Sequence, residues 1–218
     1  GSTEVGRSIR RATAATGARL TLELGGKSAH VIYDDAPLDQ AVEGAVQGIW
    51  FNQGHVCCAG SRLLVQESIA DAFTERLVAR MQRLRVGDPL DKNTDIGAIN
   101  SGAQLARITE LCEIAESEGA RRVQTTAALP DRGWFFPPTI FTGVDTSHRI
   151  AVEEVFGPVL AVMTFRTPQE AIAKANSTPY GLAAGVWTSD GARILWTAER
   201  LRAGVVWANT YNQFDPAS

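Results

Sequence analysis

The segment with the most chemical potential is Phe51-Asn52-Gln53-Gly54-His55-Val56-Cys57-Cys58-Ala59-Gly60-Ser61-Arg62, which lies between a helical pattern and an apolar strand pattern. It holds two adjacent thiols among small residues. Buried cysteines acting as small hydrophobes are the commoner fate of this residue. Here Gly54, Ala59 and Gly60 leave backbone amides open and allow a ligand to come close. A thiolate beside such amides is stabilised and becomes a usable nucleophile.

A second segment, Thr21-Leu22-Glu23-Leu24-Gly25-Gly26-Lys27-Ser28, sets a carboxylate at the end of an apolar run just before two glycines. A solvated strand end would explain it. Desolvated by its neighbours, Glu23 would instead have a raised pKa and suit general-base work near neutral pH. A third segment, Glu153-Glu154-Val155-Phe156-Gly157-Pro158, reads as a turn into a strand. Its paired acids could also hold a sugar hydroxyl. Among the histidines, His30 sits in an apolar run and reads as core, and His148 sits in a polar turn. His55 stands two residues before Cys57, but neighbours that close in a loop rarely have the geometry of a Cys–His dyad. No His/Cys/Asp spacing suggests a metal site.

The elements that must position these residues alternate between helix and strand. Helices are expected at Glu4–Ala15, Leu38–Trp50, Ala103–Ser117, Pro168–Ala175 and Ala192–Leu201. Another is capped by Ser68, with the stripe Ile69, Ala72, Phe73, Leu77, Met81 and Leu84. Strands are expected at Arg19–Leu24, Ala29–Tyr33, Arg62–Gln66, Thr139–Val144, Pro158–Phe165, Ala184–Trp187 and Gly204–Asn209. This alternation predicts an α/β fold with a mainly parallel sheet covered by helices. In such sheets ligands are expected beyond the carboxyl ends of the strands. No linker divides the chain into two independent domains.

Composition narrows the function classes. The chain has 218 residues, 44% hydrophobic and 21% charged, which excludes a disordered or fibrous class. Net charge is −3, and no basic block interleaves with aromatics, so nucleic acid is not an expected partner. The longest apolar runs fall far short of the ~20 residues of a membrane helix, and no membrane association is expected. Residues 1–10 are polar and do not read as a secretory signal. Three cysteines, two of them adjacent, make no disulfide framework and point to a reducing, cytoplasmic setting.

Taken together, the segments resemble the aldehyde dehydrogenase superfamily along the whole chain. Gly1-Ser2-Thr3-Glu4-Val5-Gly6 is similar to the family's loop-to-helix element over the cofactor pyrophosphate. Leu22 to Lys27 is similar to its glutamate signature, and Phe51 to Arg62 to its cysteine signature. Glu154 to Pro158 and Asn176 to Ala184 are similar to two later motifs. The five occur in the family's order, with Glu23 and Cys57 34 residues apart (57 − 23) as the family has them. The wording of Trp50 to Gln53 and Cys57 to Glu67 is most similar to the sixteenth family of that superfamily.

The resemblance implies a fold like that family's catalytic domain and NAD(P)-dependent oxidation of an aldehyde to a carboxylic acid. Cys57 would be the nucleophile, forming a thiohemiacetal and then a thioester, and Glu23 would activate the hydrolytic water. Ser2 would meet the pyrophosphate of NAD or NADP, Leu24 the nicotinamide and Glu154 its ribose, with Phe156 packing nearby. The partner would be a small-molecule aldehyde substrate, and the complete protein a homo-oligomer. Residues 1–25 would be the tail of a cofactor-binding domain and 26–218 a C-terminally truncated catalytic domain. Such a portion is expected to be inactive alone. A different expectation is a catalytically silent scaffold or pairing domain of a dehydrogenase-like protein. One departure stands out: His55 occupies a position where the family usually has glutamine or glutamate.

Overall fold

The computed structural model describes residues 1–214. A seven-stranded sheet runs in the order β3-β4-β5-β2-β1-β6-β7. Its strands are β1 (Ala29–Ile32), β2 (Arg62–Gln66), β3 (Arg121–Gln124), β4 (Thr139–Thr142), β5 (Val159–Phe165), β6 (Ala183–Trp187) and β7 (Val205–Ala208). Every neighbouring pair is parallel except β3–β4. This is the mainly parallel, helix-covered α/β sheet that the alternating pattern predicts.

The central strands are apolar because both of their faces are covered. Leu63, Val65, Leu160 and Val162 point to one face, under α2 (Leu38–Trp50) and α3 (Ala70–Met81). Val31, Leu64, Ala161 and Met163 point to the other, under α4 (Gly102–Ser117), α5 (Arg149–Val152), α6 (Pro168–Ala175) and α7 (Gly191–Ala198). The helix α1 (Thr3–Thr13) stands apart from both layers, and Gly6 is its one buried residue. No helix among the described residues is long and apolar enough to cross a membrane.

Several local expectations need correction. Arg19–Leu24 is not a strand: it runs largely exposed with no neighbour to pair with, since both flanks of β1 are taken by β2 and β6. Ser68 does not cap α3, because a 3₁₀ turn at Glu67–Ile69 intervenes and α3 begins at Ala70 without a side-chain cap. Ala72 is exposed, and the buried face of α3 is Ala70, Phe73, Leu77 and Met81. The last helix ends at Ala198, not Leu201. The strand β3 and the single-turn α5 carry too little apolar pattern to be read from sequence.

One buried cation ties the sheet to the helical layer. The Arg62 guanidinium, at the start of β2, donates to the carbonyls of Lys27 (2.9 Å), Lys174 (2.9 Å) and Ala175 (2.6 Å). The last two are carbonyls at the C-terminal end of α6, where a cation also complements the helix dipole. Burial pulls the Arg62 pKa down to about 10, yet it stays charged at neutral pH. Arg62→Met strands three acceptors at once. It should lower stability by roughly 3 kcal/mol in urea unfolding, whereas a loss below ~1 kcal/mol would show the staple to be dispensable.

Candidate functional site

The strands β5, β2 and β1 are adjacent and parallel, so the loops that enter them gather at one end of the sheet. Those loops are Pro158 and the residues before it, Cys57 to Ser61, and Glu23 to Ser28. The three segments singled out in the sequence therefore meet at the amino ends of the strands. The expectation of a site beyond the carboxyl ends is corrected by this geometry. The carboxyl ends are instead closed by internal polar contacts: Gln66 Nε2 donates to Asp34, and Thr188 Oγ1 and Arg193 donate to Asp35.

At the amino ends lies a cleft of about 510 Å³, lined in part by Ser2, Glu23, Leu24, Cys57, Glu154 and Phe156. All six residues singled out in the sequence thus share one space. Two glycines make the convergence possible. A Cβ on Gly25 would stand 2.3 Å from Glu154 Oε2, and one on Gly26 would stand 2.3 Å from the Cys57 carbonyl oxygen. The Gly26 N–H donates to Glu154 Oε1 at 3.1 Å. Burial raises the Glu154 pKa, opposed by this N–H and by the Lys27 ammonium.

The loop that carries the two cysteines is held from several sides. Asn52, Gln53 and Gly54 are successively left-handed, and a Cβ on Gly54 would meet the Gly157 carbonyl at 2.1 Å. Trp50 Nε1 donates to the Pro158 carbonyl (3.1 Å) and Tyr211 Oη to the Cys58 carbonyl (2.8 Å). The two thiols then part company. Cys58 is buried with Ala183, Trp207 and Tyr211, donates to Asn212 Oδ1 at 3.4 Å, and is pushed up to about 11 by burial. Cys57 is only half-buried and faces the cleft.

Other candidates fall differently. Glu23 is exposed, so apolar neighbours do not desolvate it as the sequence suggested. The Ser2 hydroxyl accepts from Val5 N–H (3.3 Å) as the N-cap of α1, which points that helix's amino end into the cleft. Leu24 packs against Gly6, fixing α1 to the glutamate segment. His30 is core, with Nε2 accepting from Trp187 Nε1 and the ring against Tyr211. His55 makes no dyad with Cys57; its ring stacks on Phe156. His148 Nδ1 accepts from Asp145 N–H within its turn.

Sequence reasoning missed Gln104 and Arg107, which line the cleft from α4. Gln104 Nε2 donates to the carbonyls of Val155 and Phe156, and Arg107 pairs with Glu153. In sequence they are two polar residues one helical turn apart, indistinguishable from a solvated face. Lys27 was also missed. It is fully buried, and its Nζ has no partner among the described residues. Burial, helped by the Arg62 guanidinium and opposed by Glu154, pulls it down to about 7.

With this geometry in place, comparison with known proteins decides the lineage. The sequence model of the "Aldehyde dehydrogenase family" matches residues 1–218. The chain belongs to the aldehyde dehydrogenase family. It is 46% identical over 212 residues to rat "Aldehyde dehydrogenase, cytosolic 1", covering 97% of this chain and 42% of that protein. The structure superposes on the NAD-dependent aldehyde dehydrogenase of Sinorhizobium meliloti with a TM-score of 0.96 at 40% identity, covering 99% of this chain and 43% of that one. It also matches the betaine aldehyde dehydrogenase of Staphylococcus aureus in complex with NAD⁺, with a TM-score of 0.94 at 40% identity, covering 100% and 44%. The chain spans less than half the length of the relatives it matches.

Two outcomes test this site. Gly26→Ala forces the Cys57 carbonyl to move, so it should cost about 1–3 kcal/mol. It should also change the rate at which Cys57, but not Cys112, reacts with a thiol reagent. Lys27 tests the buried cation beneath the cleft. Folded, it gives up its proton near pH 7, and unfolded near 10.5, so in between the unfolded chain binds more protons and this group's contribution to stability rises with pH. Cys58 and Cys112, both pushed up by burial, act in the opposite sense at high pH, so the readout is a difference. Lys27→Met should melt higher than wild type at pH 7, with an advantage that shrinks toward pH 10. A constant gap would contradict a buried, unpaired amine.

Proposed function

We propose that this chain is the catalytic portion of an NAD-dependent aldehyde dehydrogenase that converts an aldehyde to a carboxylic acid. The observation that carries the reading is the single cleft shared by Cys57, Glu23 and Glu154. Residues 1–25 form the tail of the cofactor-binding domain and 26–218 the catalytic domain. The packing of Gly6 on Leu24 and the start of the sheet at Ala29 support that division.

The cleft fits a dinucleotide. The amino end of α1 at Ser2 suits the pyrophosphate, because backbone N–H groups and the helix dipole favour an anion there. The Glu154 carboxylate would accept hydrogen bonds from the hydroxyls of a ribose, a role supported by its position in the cleft with Phe156 and Leu24 as apolar walls beside it. NAD⁺, when bound, supplies the hydride acceptor.

In the proposed reaction the Cys57 thiolate attacks the aldehyde carbon, forming a C–S bond and an oxyanion. The Cys57 N–H has no acceptor among the described residues and is available to that oxyanion. A preorganised donor of this kind is worth about 10²–10³ in rate. With NAD⁺ bound as hydride acceptor, the C–H electron pair would pass to it and the oxyanion would collapse to the carbonyl of a Cys57 thioester. Glu23, exposed in the cleft and therefore in reach of water, takes a proton from the water that attacks the thioester. The C–S bond breaks, the acid departs and the thiolate returns.

The complete protein is proposed to work in the cytoplasm, in keeping with three free cysteines, although relatives named for the cytosol and for the mitochondrion both match. It is proposed to pair as a homo-oligomer, for which the outer edge of β7, with Val205 exposed, offers a strand without a partner among the described residues.

In the complete protein, Cys57→Ala should abolish aldehyde-dependent NADH formation while the fold survives. Iodoacetamide should label Cys57 far faster than Cys58 or Cys112, which burial pushes up to about 11 and about 12. Unchanged turnover, or equal labelling of all three thiols, would refute the assignment.

A further inference from the structure

We infer that His55 is a positioning residue that acts through Phe156: its ring face fixes one wall of the nucleotide cleft to the loop that carries Cys57. The inference rests on the functional reading above and assigns a role to a residue of the cysteine loop that the proposed reaction does not itself use.

The loop itself aims the imidazole. His55 N–H donates to the Asn52 carbonyl at 2.9 Å, and the His55 carbonyl accepts from Asn52 Nδ2 at 3.1 Å. With Asn52, Gln53 and Gly54 all left-handed just before it, the chain reverses sharply and His55 is delivered toward Phe156. The two rings lie nearly parallel, 10° apart, with centroids at 5.1 Å. Phe156 lines the cleft and His55 does not, so the stack gives His55 an indirect route to a bound nucleotide through Phe156.

Phe156 needs such support. Its φ of +53° is a conformation that a bulky residue adopts only when its surroundings enforce it. Gln104 holds its carbonyl at 3.0 Å, which fixes the backbone but not the ring. The imidazole supplies the missing contact. It is not there for its hydrogen bonds, since Nε2 is buried without a partner among the described residues. Burial also lowers the His55 pKa, so the ring stacks as a neutral plate at pH 7. Glutamine or glutamate at this position would offer no aromatic face.

The test uses the complete protein and compares wild type with His55→Gln and His55→Phe. Nucleotide affinity is read directly from NADH fluorescence, KM for NAD⁺ from aldehyde oxidation, and loop integrity from the rate of Cys57 alkylation. His55→Gln should weaken NADH binding and raise KM for NAD⁺ by about 2–12-fold, the range that an aromatic pair of about 0.5–1.5 kcal/mol produces. His55→Phe keeps the face and should restore both to within about two-fold of wild type, and alkylation should be unchanged in both variants. Equal affinities in wild type and His55→Gln, or equal losses in the two variants, would overturn the proposal. So would a slowed alkylation that matches the affinity loss, because His55 would then act on the thiol loop. Wild type that binds NADH without oxidising aldehydes would sink the functional reading and leave the stack standing on the binding data. Wild type that binds no NADH would sink both.

Discussion

Three backbone segments approach within side-chain distance of one another at Gly25 and Gly26, and everything else about the cleft follows from that contact. The Glu154 carboxylate rests against Gly25, and the Cys57 carbonyl rests against Gly26. Any side chain there would push the carboxylate and the thiol loop apart. The sheet imposes the convergence: β5, β2 and β1 are parallel neighbours, so their entry loops have nowhere else to go. The glycines let those loops close to contact, and the Gly26 N–H then turns proximity into a hydrogen bond.

Beneath this contact lies an unusual electrostatic floor. Lys27 and Arg62 are both buried, and neither has a carboxylate in direct contact. Arg62 is satisfied by carbonyls, which stabilise a guanidinium without neutralising it. Lys27 Nζ has no partner among the described residues, and burial together with the Arg62 charge loosens its proton. On the cleft side, burial raises the Glu154 pKa, while the Gly26 N–H that donates to it and the nearby positive charges of Lys27 and the chain's amino terminus act against that rise.

Much of this was legible in the sequence, and the failures share a cause. The helix α2, the strand β2 and the helix α6 announced themselves through periodicity, because each buries one continuous stripe or both faces of an apolar run. The residues Cys57, Glu23, Glu154, Phe156, Leu24 and Ser2 were found from local composition and resemblance, and they do line one cleft. What could not be read was which end of the sheet they occupy. A general rule about carboxyl ends pointed the wrong way, since order along the chain says nothing of where entry loops gather until strand order is known. Gln104 and Arg107 were hidden for the same reason: their roles come from the distant segment that α4 packs against, not from their own neighbours. Arg19–Leu24 failed differently, because an apolar alternation makes a strand only where a partner edge is free.

The two adjacent cysteines show how position, not chemistry, divides labour. Both are thiols in one turn, and the sequence alone offers either. The Cys58 side chain is drawn inward by Trp207 and Tyr211, while Tyr211 Oη grips its carbonyl. The Tyr211 ring packs in turn against His30 of β1, tilted at 33°, so the anchor reaches the centre of the sheet. With Cys58 pinned on that side and Gly26 meeting the Cys57 carbonyl on the other, the Cys57 side chain is left facing the cleft. The inert thiol is thus the device that aims the exposed one, and a buried tyrosine and a buried histidine far along the chain belong to the machinery that sets it.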